Sequence, residues 1–209
     1  MITNNEQPRW FFYLEWVTLN VIAVVLAWYV ALALISFIEN VVGGTMQVGG
    51  QSRITEDFLF LYVLFPIIGL LTGILQYTLL RHYLPRMGWW IGATLLGWLL
   101  PFLLGFVFTT FFTPDNSAFS IMLGMFLIGA TISLPQWWIL HQRVHHAFWW
   151  VVTYGVGWWL VGSLSLVTSD PFRVLIAIAL IPTIATSIAC WLLLGRFPKY
   201  ELEKRRLGS

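Results

Sequence analysis

Apolar runs of about 20 residues recur along this chain, with almost no charged side chains inside them. A helix of this length crosses the roughly 30 Å hydrocarbon layer of a bilayer, where each backbone polar group must be bonded within the protein. The runs lack the period-two alternation of membrane β-barrel strands. The sequence therefore predicts an all-α integral membrane protein with six transmembrane helices. These lie near Trp16–Ile38, Phe58–Leu80, Trp89–Phe112, Ala118–Leu140, Phe148–Val167 and Phe172–Leu194.

The composition excludes a soluble globule. Of the 209 residues, 59% are hydrophobic and 10% are charged, whereas a soluble domain has roughly 25% charged residues. We therefore expect a single transmembrane domain over residues 1–209. The hydrophilic stretch Glu39–Asp57, 19 residues long, is too short for a second domain and is expected to be a loop.

The basic residues predict how the helices are oriented. If successive helices alternate in direction, nine Lys and Arg residues fall on one side of the membrane and two on the other. Short loops rich in Lys and Arg stay in the cytoplasm, so both termini are expected to be cytoplasmic. Because these residues serve as the topology signal, nucleic-acid binding is not supported. The nine are Arg9, Arg81, Arg86, Arg143, Arg196, Lys199, Lys204, Arg205 and Arg206, and the two are Arg53 and Arg173.

One stretch of the sequence occurs twice, sixty residues apart. Gly69–Trp98 aligns without gaps to Gly129–Trp158. Aligned aliphatic residues alone would mean little in so apolar a chain, but coinciding Gln, Gly and paired Trp residues indicate an internal duplication. Each unit, about 67–112 and 127–168, is expected to be a helical hairpin with a short basic turn. The aligned positions include Gln76 and Gln136, Trp89-Trp90 and Trp149-Trp150, and Gly97-Trp98 and Gly157-Trp158.

The helices that flank the duplication, about 16–38 and 172–194, are interpreted as the two halves of a third hairpin. The segment that starts at Cys190 is similar to the one that starts at Gln136, so Cys190 is expected at the glutamine position. If the sixth helix contacts the first, the three hairpins form a ring with a parallel repeat and pseudo-threefold symmetry.

The two glutamines are candidate ligand-binding residues. Gly69, Gly73 and Gln76 are spaced so that they share one helix face. The second unit repeats this face with Gly129, Ser133 and Gln136. Small residues four apart allow helices to approach closely, and a buried amide can bond across such a contact. The glutamines therefore either bind a polar group of a ligand or join neighbouring helices.

Tryptophans follow each glutamine on the next helix. The pairs Trp89-Trp90 and Trp149-Trp150 are expected where the helices enter the bilayer, as interfacial anchors. Trp98 and Trp158 lie about 12 Å deeper, with Thr94 and Tyr154 on the same faces. A deep tryptophan either packs the core of a bundle or lines a cavity for an apolar ligand.

Histidines are confined to the basic turns. His141, His145 and His146 are spaced so that a single metal or a haem iron could be ligated there, although residues at the headgroup level are an equally simple interpretation. This run resembles a histidine box of the membrane di-iron desaturases. Those centres need many histidines from several boxes, and this chain has four in all.

Missing residue types exclude several membrane functions. No lysine lies in any predicted span, which excludes a retinal Schiff base. No Asp or Glu lies near the middle of a span, which argues against ion-coupled pumping and proton relays. No phosphate-binding loop or dinucleotide fingerprint occurs.

Ala23, Ala27 and Ala31 form a row of small residues on the first helix. In this row, in its size and in its tryptophan content, the chain resembles the substrate-binding subunits of energy-coupling-factor vitamin transporters. That resemblance would imply a small-molecule binding site among the helices.

The duplicated unit itself is similar to a second group. Gln76, Leu80-Arg81, Trp89-Trp90 and Gly97-Trp98, together with their counterparts in the second unit, resemble repeats of the form Gln-Trp-x-x-Leu-Arg-Arg…Trp-Trp…Gly-Trp. These occur in a loose group of uncharacterised bacterial multi-pass membrane proteins. The second unit departs from the pattern by having His141-Gln142 in place of Arg-Arg. This resemblance implies a protein of the bacterial inner membrane.

Together these features predict a non-enzymatic membrane protein. It would be a scaffold or an accessory subunit of a larger membrane complex, in contact with the lipid bilayer and with other membrane subunits, and able to hold a lipid or pigment. The alternative is a small-molecule transporter, or a substrate-binding transporter subunit, whose site is lined by Gln76, Gln136, Trp98, Trp158 and Tyr154. A second alternative is a membrane enzyme that uses the histidines to hold a metal or haem. No cofactor is required by the leading prediction.

Overall fold

The computed structural model describes residues 9–48, 51–82, 84, 87–111, 117–142, 144, 146–168 and 170–194. Each predicted span overlaps one helix of the structure, although α1 is longer than its predicted span at both ends. The helices are α1 (Arg9–Val42), α2 (Thr55–Leu80), α3 (Trp90–Phe111), α4 (Ala118–Leu140), α5 (Phe148–Ser165) and α6 (Pro171–Leu194), and the strands are β1 (Thr45–Val48) and β2 (Gln51–Ile54). Within the described part, three helical segments are long and apolar enough to cross a membrane: Phe11–Val42, Tyr62–Leu80 and Ala118–Leu140.

The stretch Glu39–Asp57 is not a loop, which corrects the sequence-based expectation. Helix α1 continues to Val42, and Gly43 ends it with a φ of 95° and a backbone hydrogen bond from its N–H to Glu39 O of 2.8 Å. Strands β1 and β2 then pair antiparallel from Thr45↔Ile54 to Val48↔Gln51. The Gly-Gly pair between two short strands was the available signal for this hairpin.

The six helices form a closed ring. Each helix packs against its neighbours in the sequence, and α1 also packs against α6. Small residues allow the close crossings. Ala23, Ala27 and Ala31 are buried on α1, and a Cβ added to Gly97 of α3 would overlap the backbone of Ile132 on α4. Short turns after α2 and α4 make neighbouring helices antiparallel.

The ring interior contains two apolar clusters, one above the other. The first surrounds Trp16, Trp90 and Trp150, which we call the tryptophan layer, and lies next to the turns that follow α2 and α4. The second surrounds Trp98 and Trp158 and lies two helical turns deeper. The predicted ligand-binding residues Gln76, Gln136, Trp98, Trp158, Thr94 and Tyr154 are on the helices that enclose these clusters.

Candidate functional site in the ring interior

The tryptophan layer joins three helices at the centre of the ring. The rings of Trp16 and Trp150 lie 5.7 Å apart at 82°, and those of Trp90 and Trp150 lie 5.9 Å apart at 71°. Such edge-to-face contacts are favourable between aromatic rings. The three side chains are at most 2% exposed. Trp90 and Trp150 are therefore core residues, which corrects their assignment as interfacial anchors, whereas Trp89 is 82% exposed as expected.

Each indole of the layer donates a hydrogen bond to the preceding helix of the ring. Nε1 of Trp90 donates to Oε1 of Gln76 at 3.0 Å, and Nε1 of Trp150 donates to Oε1 of Gln136 at 2.8 Å. Nε1 of Trp16 donates to Oγ1 of Thr186 at 3.2 Å. The three bonds connect α2 with α3, α4 with α5, and α6 with α1.

The amide of Gln76 bridges three helices. Besides accepting from Trp90, it donates from Nε2 to Oδ1 of Asn20 on α1 at 2.7 Å. Asn20 in turn donates from Nδ2 to the backbone carbonyl of Trp16, four residues earlier, at 2.8 Å. Because both ends of the Gln76 amide are bonded, its burial at 3% exposure leaves neither end unpaired.

Gln136 repeats this bridge one hairpin later. Its Nε2 donates to Oγ1 of Thr94 on α3 at 2.9 Å, while its Oε1 accepts from Trp150. Thr94 donates from Oγ1 to the backbone carbonyl of Trp90, four residues earlier, at 2.9 Å. Thr94 therefore occupies on α3 the place that Asn20 occupies on α1. We call these two sets of bonds the Gln76 bridge and the Gln136 bridge.

The contact between α6 and α1 is built differently. The indole of Trp16 bonds to Thr186, one turn before Cys190, so Cys190 does not stand in the place of a glutamine as expected. The Thr186 hydroxyl donates to the backbone carbonyl of Thr183 at 3.0 Å. Helix α6 contains no Gln or Asn, so no amide of α6 reaches back to Tyr154, which follows Trp150 at the same four-residue spacing.

Trp98 and Trp158 are the centre of the deeper cluster. Their rings lie 5.8 Å apart at 69°, and both side chains are buried. Nε1 of Trp98 has no hydrogen-bond acceptor among the described residues. Nε1 of Trp158 makes no hydrogen bond of good geometry there, but the phenol of Tyr154 lies close enough to interact with it. Within the described part of the chain, Trp98 is therefore the buried indole of this level whose donor is unused.

Glycines on the facing helices make room for these two indoles. A Cβ added to Gly69 would lie 2.9 Å from Cβ of Trp98, and one added to Gly129 would lie 2.6 Å from Cδ1 of Trp158. Such distances are far below van der Waals contact, so any side chain at either glycine would displace the indole. The predicted small-residue faces thus position Trp98 and Trp158.

The tryptophan layer leaves little free space. An apolar cavity of about 10 Å³ beside it is about the size that one water molecule needs. It is lined by Leu80, Trp90, Leu140, Val144, Trp150, Cys190 and Leu193. Its walls offer no polar partner, so it has the character of a packing defect between apolar side chains.

The structure divides the predicted ligand residues into two groups. Gln76, Gln136 and Thr94 belong to the two bridges, while Trp98, Trp158 and Tyr154 belong to the deeper cluster. That they contact a ligand stays a prediction. Sequence reasoning missed Trp16, Asn20 and Thr186 as partners. A signal was available, because Trp16-x-x-x-Asn20 has the spacing of Trp90-x-x-x-Thr94.

Of the three predicted metal-binding histidines, the two that the structure describes, His141 and His146, are both exposed. The His141 ring stacks on Trp137 at 5.0 Å and 26°, with Nδ1 3.3 Å from the Trp137 carbonyl oxygen. His146 is exposed with a φ of 62°, and His145 lies outside the described residues. Within the described ranges, no group of three or more His, Cys, Asp or Glu side chains is placed to hold a metal ion.

Comparisons with protein-family models, with curated proteins and with solved structures find no match to this chain.

Proposed function

We propose that this chain is a non-enzymatic scaffold or accessory subunit of a larger complex in the bacterial inner membrane. In this proposal six helices cross the bilayer, both termini are cytoplasmic, and α2–α3 and α4–α5 are duplicates within a pseudo-threefold ring. The observation that carries the scaffold role is the pair of glutamine bridges. Each buried amide makes both of its hydrogen bonds to other helices, so the central polar groups hold the ring together.

Helix lengths and surface composition support the membrane placement. At 1.5 Å per residue, α3, α5 and α6, with 22, 18 and 24 residues, are about 33, 27 and 36 Å long. These lengths match a hydrocarbon layer of roughly 30 Å. The outward side chains are apolar, among them Leu96, Leu127, Val156 and Leu180.

The first helix supports the accessory-subunit role. From Trp16 to Val42, α1 rises about 39 Å above the tryptophan layer, which is more than the bilayer core spans. At that far end Val41 and Val42 are 71% and 51% exposed. Apolar surface beyond the lipid is typical of a contact with another protein.

The test is native mass spectrometry of the protein gently extracted from its own membrane, with an absorption spectrum of the same sample. Co-purifying subunits in a fixed ratio, with or without a pigment band, are the expected result. A colourless monomer that carries one small molecule in stoichiometric amount would contradict the proposal and favour transport. Replacing Val41 and Val42 with Ser should release the partner subunit, and replacing the exposed Val156 with Ser is the control.

A second candidate function is a small-molecule transporter or the substrate-binding subunit of one. The indole N–H of Trp98, which has no acceptor among the described residues, favours it, since a buried donor without an acceptor costs about 1–3 kcal/mol unless a ligand bonds to it. A carbonyl-bearing apolar molecule next to Trp98 and Trp158 would accept this bond. If this candidate is right, Trp98→Phe with Trp158→Phe removes the bound molecule in the same mass spectrum while the folded protein is retained.

A further inference from the structure

An aromatic cluster covers the outer surface of the α4–α5 hairpin next to its basic turn. Trp137 and Trp138 both contact the His141 ring, at 5.0 Å and 5.1 Å between ring centres. Phe148 and Trp149 contact each other at 4.8 Å at the start of α5. Trp138 is 62% exposed, and His141, Phe148 and Trp149 are exposed as well. We call the surface formed by Trp137, Trp138 and His141 the aromatic face.

The fold does not require the aromatic face. At the offset of sixty residues, Trp137, Trp138 and His141 correspond to Tyr77, Thr78 and Arg81 of the α2–α3 hairpin. That hairpin forms the same interior glutamine bridge without an exposed indole at this point. Packing between the helices therefore explains the tryptophans in the interior of the helix ring. It does not explain the exposed Trp138 or the neighbouring His141.

The polar groups of the aromatic face suit an anion. Nδ1–H of His141 donates to the Trp137 carbonyl, so in the imidazolium form of the ring Nε2–H is a second donor that faces an anion, and the exposed Trp138 carries an indole N–H donor. The two turns on this side, residues 81–88 and 142–147, contain three Arg and three His and no Asp or Glu. A phosphate group would meet donors and positive charge without a competing carboxylate from the turns.

The apolar groups of the same surface suit acyl chains. Leu127, Leu134 and Trp138 are spaced seven and four residues apart, so they share one face of α4. All three are exposed, over about 16 Å of helix. This strip begins at the aromatic face and runs toward the middle of the predicted bilayer.

We propose that the aromatic face binds one anionic phospholipid of the cytoplasmic leaflet. Its phosphate lies against Nε2 of His141 and the indole N–H of Trp138, and an acyl chain lies along Leu134 and Leu127. The inference rests on the membrane orientation given under the proposed function. The charge of the two turns selects an anionic over a zwitterionic headgroup, because each basic residue near an anionic surface contributes about 1 kcal/mol.

The experiment uses the purified full chain in nanodiscs made from equal amounts of phosphatidylglycerol and phosphatidylcholine. Native mass spectrometry then counts the lipids that stay bound on release. We expect one phosphatidylglycerol per chain, retained about fivefold over phosphatidylcholine, the ratio that corresponds to about 1 kcal/mol. The double substitution Trp138→Thr with His141→Gln should remove this preference.

The matched control is Trp159→Thr, which removes an exposed indole from α5 away from the basic turns. It should keep the full preference for phosphatidylglycerol. Equal retention of the two lipids by the unaltered protein would overturn the proposal, whatever the variants do, and so would an equal loss in the control. A photo-crosslinker at position 138 that captures a protein instead of a lipid in native membranes would also overturn it.

These outcomes are separate from those of the proposed function. The isolated chain in a nanodisc reports only on lipid, whereas the scaffold role is decided by co-purifying subunits. A chain with partner subunits and no lipid preference would refute the aromatic-face proposal alone. A lipid preference without partner subunits would refute the scaffold role alone.

Discussion

The α2–α3 and α4–α5 hairpins agree inside the ring and differ outside it. Inside, Gln76 and Gln136 each accept from a tryptophan fourteen residues later, and each donates to the helix before. Outside, an exposed indole at Trp138 replaces Thr78. Hydrogen bonds across buried helices constrain both partners at once, whereas a side chain that faces lipid is free to change alone. Changes on the outer surface can therefore give one hairpin a function that the other lacks.

The α6–α1 contact shows which parts of the pattern are dispensable. It keeps a central tryptophan, Trp16, but replaces the glutamine with Thr186. The central indole is thus common to all three contacts, and the bridging amide is not.

The largest loss of stability should come from adding a methyl group at a close helix crossing. In Gly97→Ala the new Cβ would overlap the Ile132 backbone, and in Gly157→Ala it would lie 2.8 Å from Cα of Pro182. Overpacking of this kind costs about 3 kcal/mol when backbone must move. Unfolding in mixed detergent micelles measures it. Gly92→Ala is the control, since nothing lies within 4 Å of its added Cβ; equal stability of Gly92→Ala and Gly97→Ala would disprove the close crossing.

Removing a glutamine bridge should lower the free energy of unfolding by a smaller amount, and by the same amount in both hairpins. Gln76→Leu and Gln136→Leu each leave an indole N–H without its acceptor, so we expect a loss of about 1–3 kcal/mol in the free energy of unfolding. Thr186→Val should cost about 1 kcal/mol, because one neutral hydrogen bond is lost there. The same unfolding measurement applies. If the glutamine variants kept full stability and lost a bound molecule instead, the amides would be ligand groups.

A Trp→Phe substitution in the tryptophan layer should lower the free energy of unfolding by more than the same substitution in the deeper cluster of the same helix. On α3, Trp90→Phe leaves Oε1 of Gln76 without a donor, which adds about 1 kcal/mol to the loss of packing area. Trp98→Phe removes an N–H that has no acceptor among the described residues, so that addition is absent. The difference between the two unfolding free energies is the quantity to compare. Equal losses would mean that Nε1 of Trp98 has an acceptor outside the described residues.

The smallest effect is expected at the outer surface. Trp138→Thr gives the second hairpin the residue of the first, and an exposed substitution away from the core changes stability by about 0.5 kcal/mol or less. Thermal unfolding in a lipid-free detergent checks this. A large loss would show that Trp138 packs as part of the fold, and the contrast between the inside and outside of the hairpins would no longer hold.

Local sequence patterns predicted most of the fold. Lengths of apolar runs placed all six helices, with ends such as Leu80 and Leu140 assigned to the correct residue, because charged turns and hydrocarbon thickness both limit where a helix can end. The predicted duplication also identified Gln76 and Gln136 as a pair. Their bonding to Trp90 and Trp150 lies within one hairpin, so a sequence argument can reach it.

The features that the sequence did not predict depend on contacts between distant segments. Trp89 and Trp90 are the same residue type, so residue type cannot tell which indole is buried. The rotation of α3 about its axis decides that Trp90 is buried and Trp89 is exposed. Whether Thr186 or Cys190 lies opposite Trp16 depends on the axial position of α6 relative to α1. Neither the rotation of α3 nor the axial position of α6 can be inferred from the local sequence of one helix.

The bond between Trp16 and Thr186 joins residues 170 positions apart. During synthesis, Trp16 is therefore added to the chain long before Thr186. The Gln76 and Gln136 bridges can connect α1 through α5 in order as each hairpin enters the membrane, but the indole of Trp16 must wait for the last helix. The ring can therefore close only after α6 has been made, and until then α1 and α5 lack the α6 contacts that they have in the complete ring.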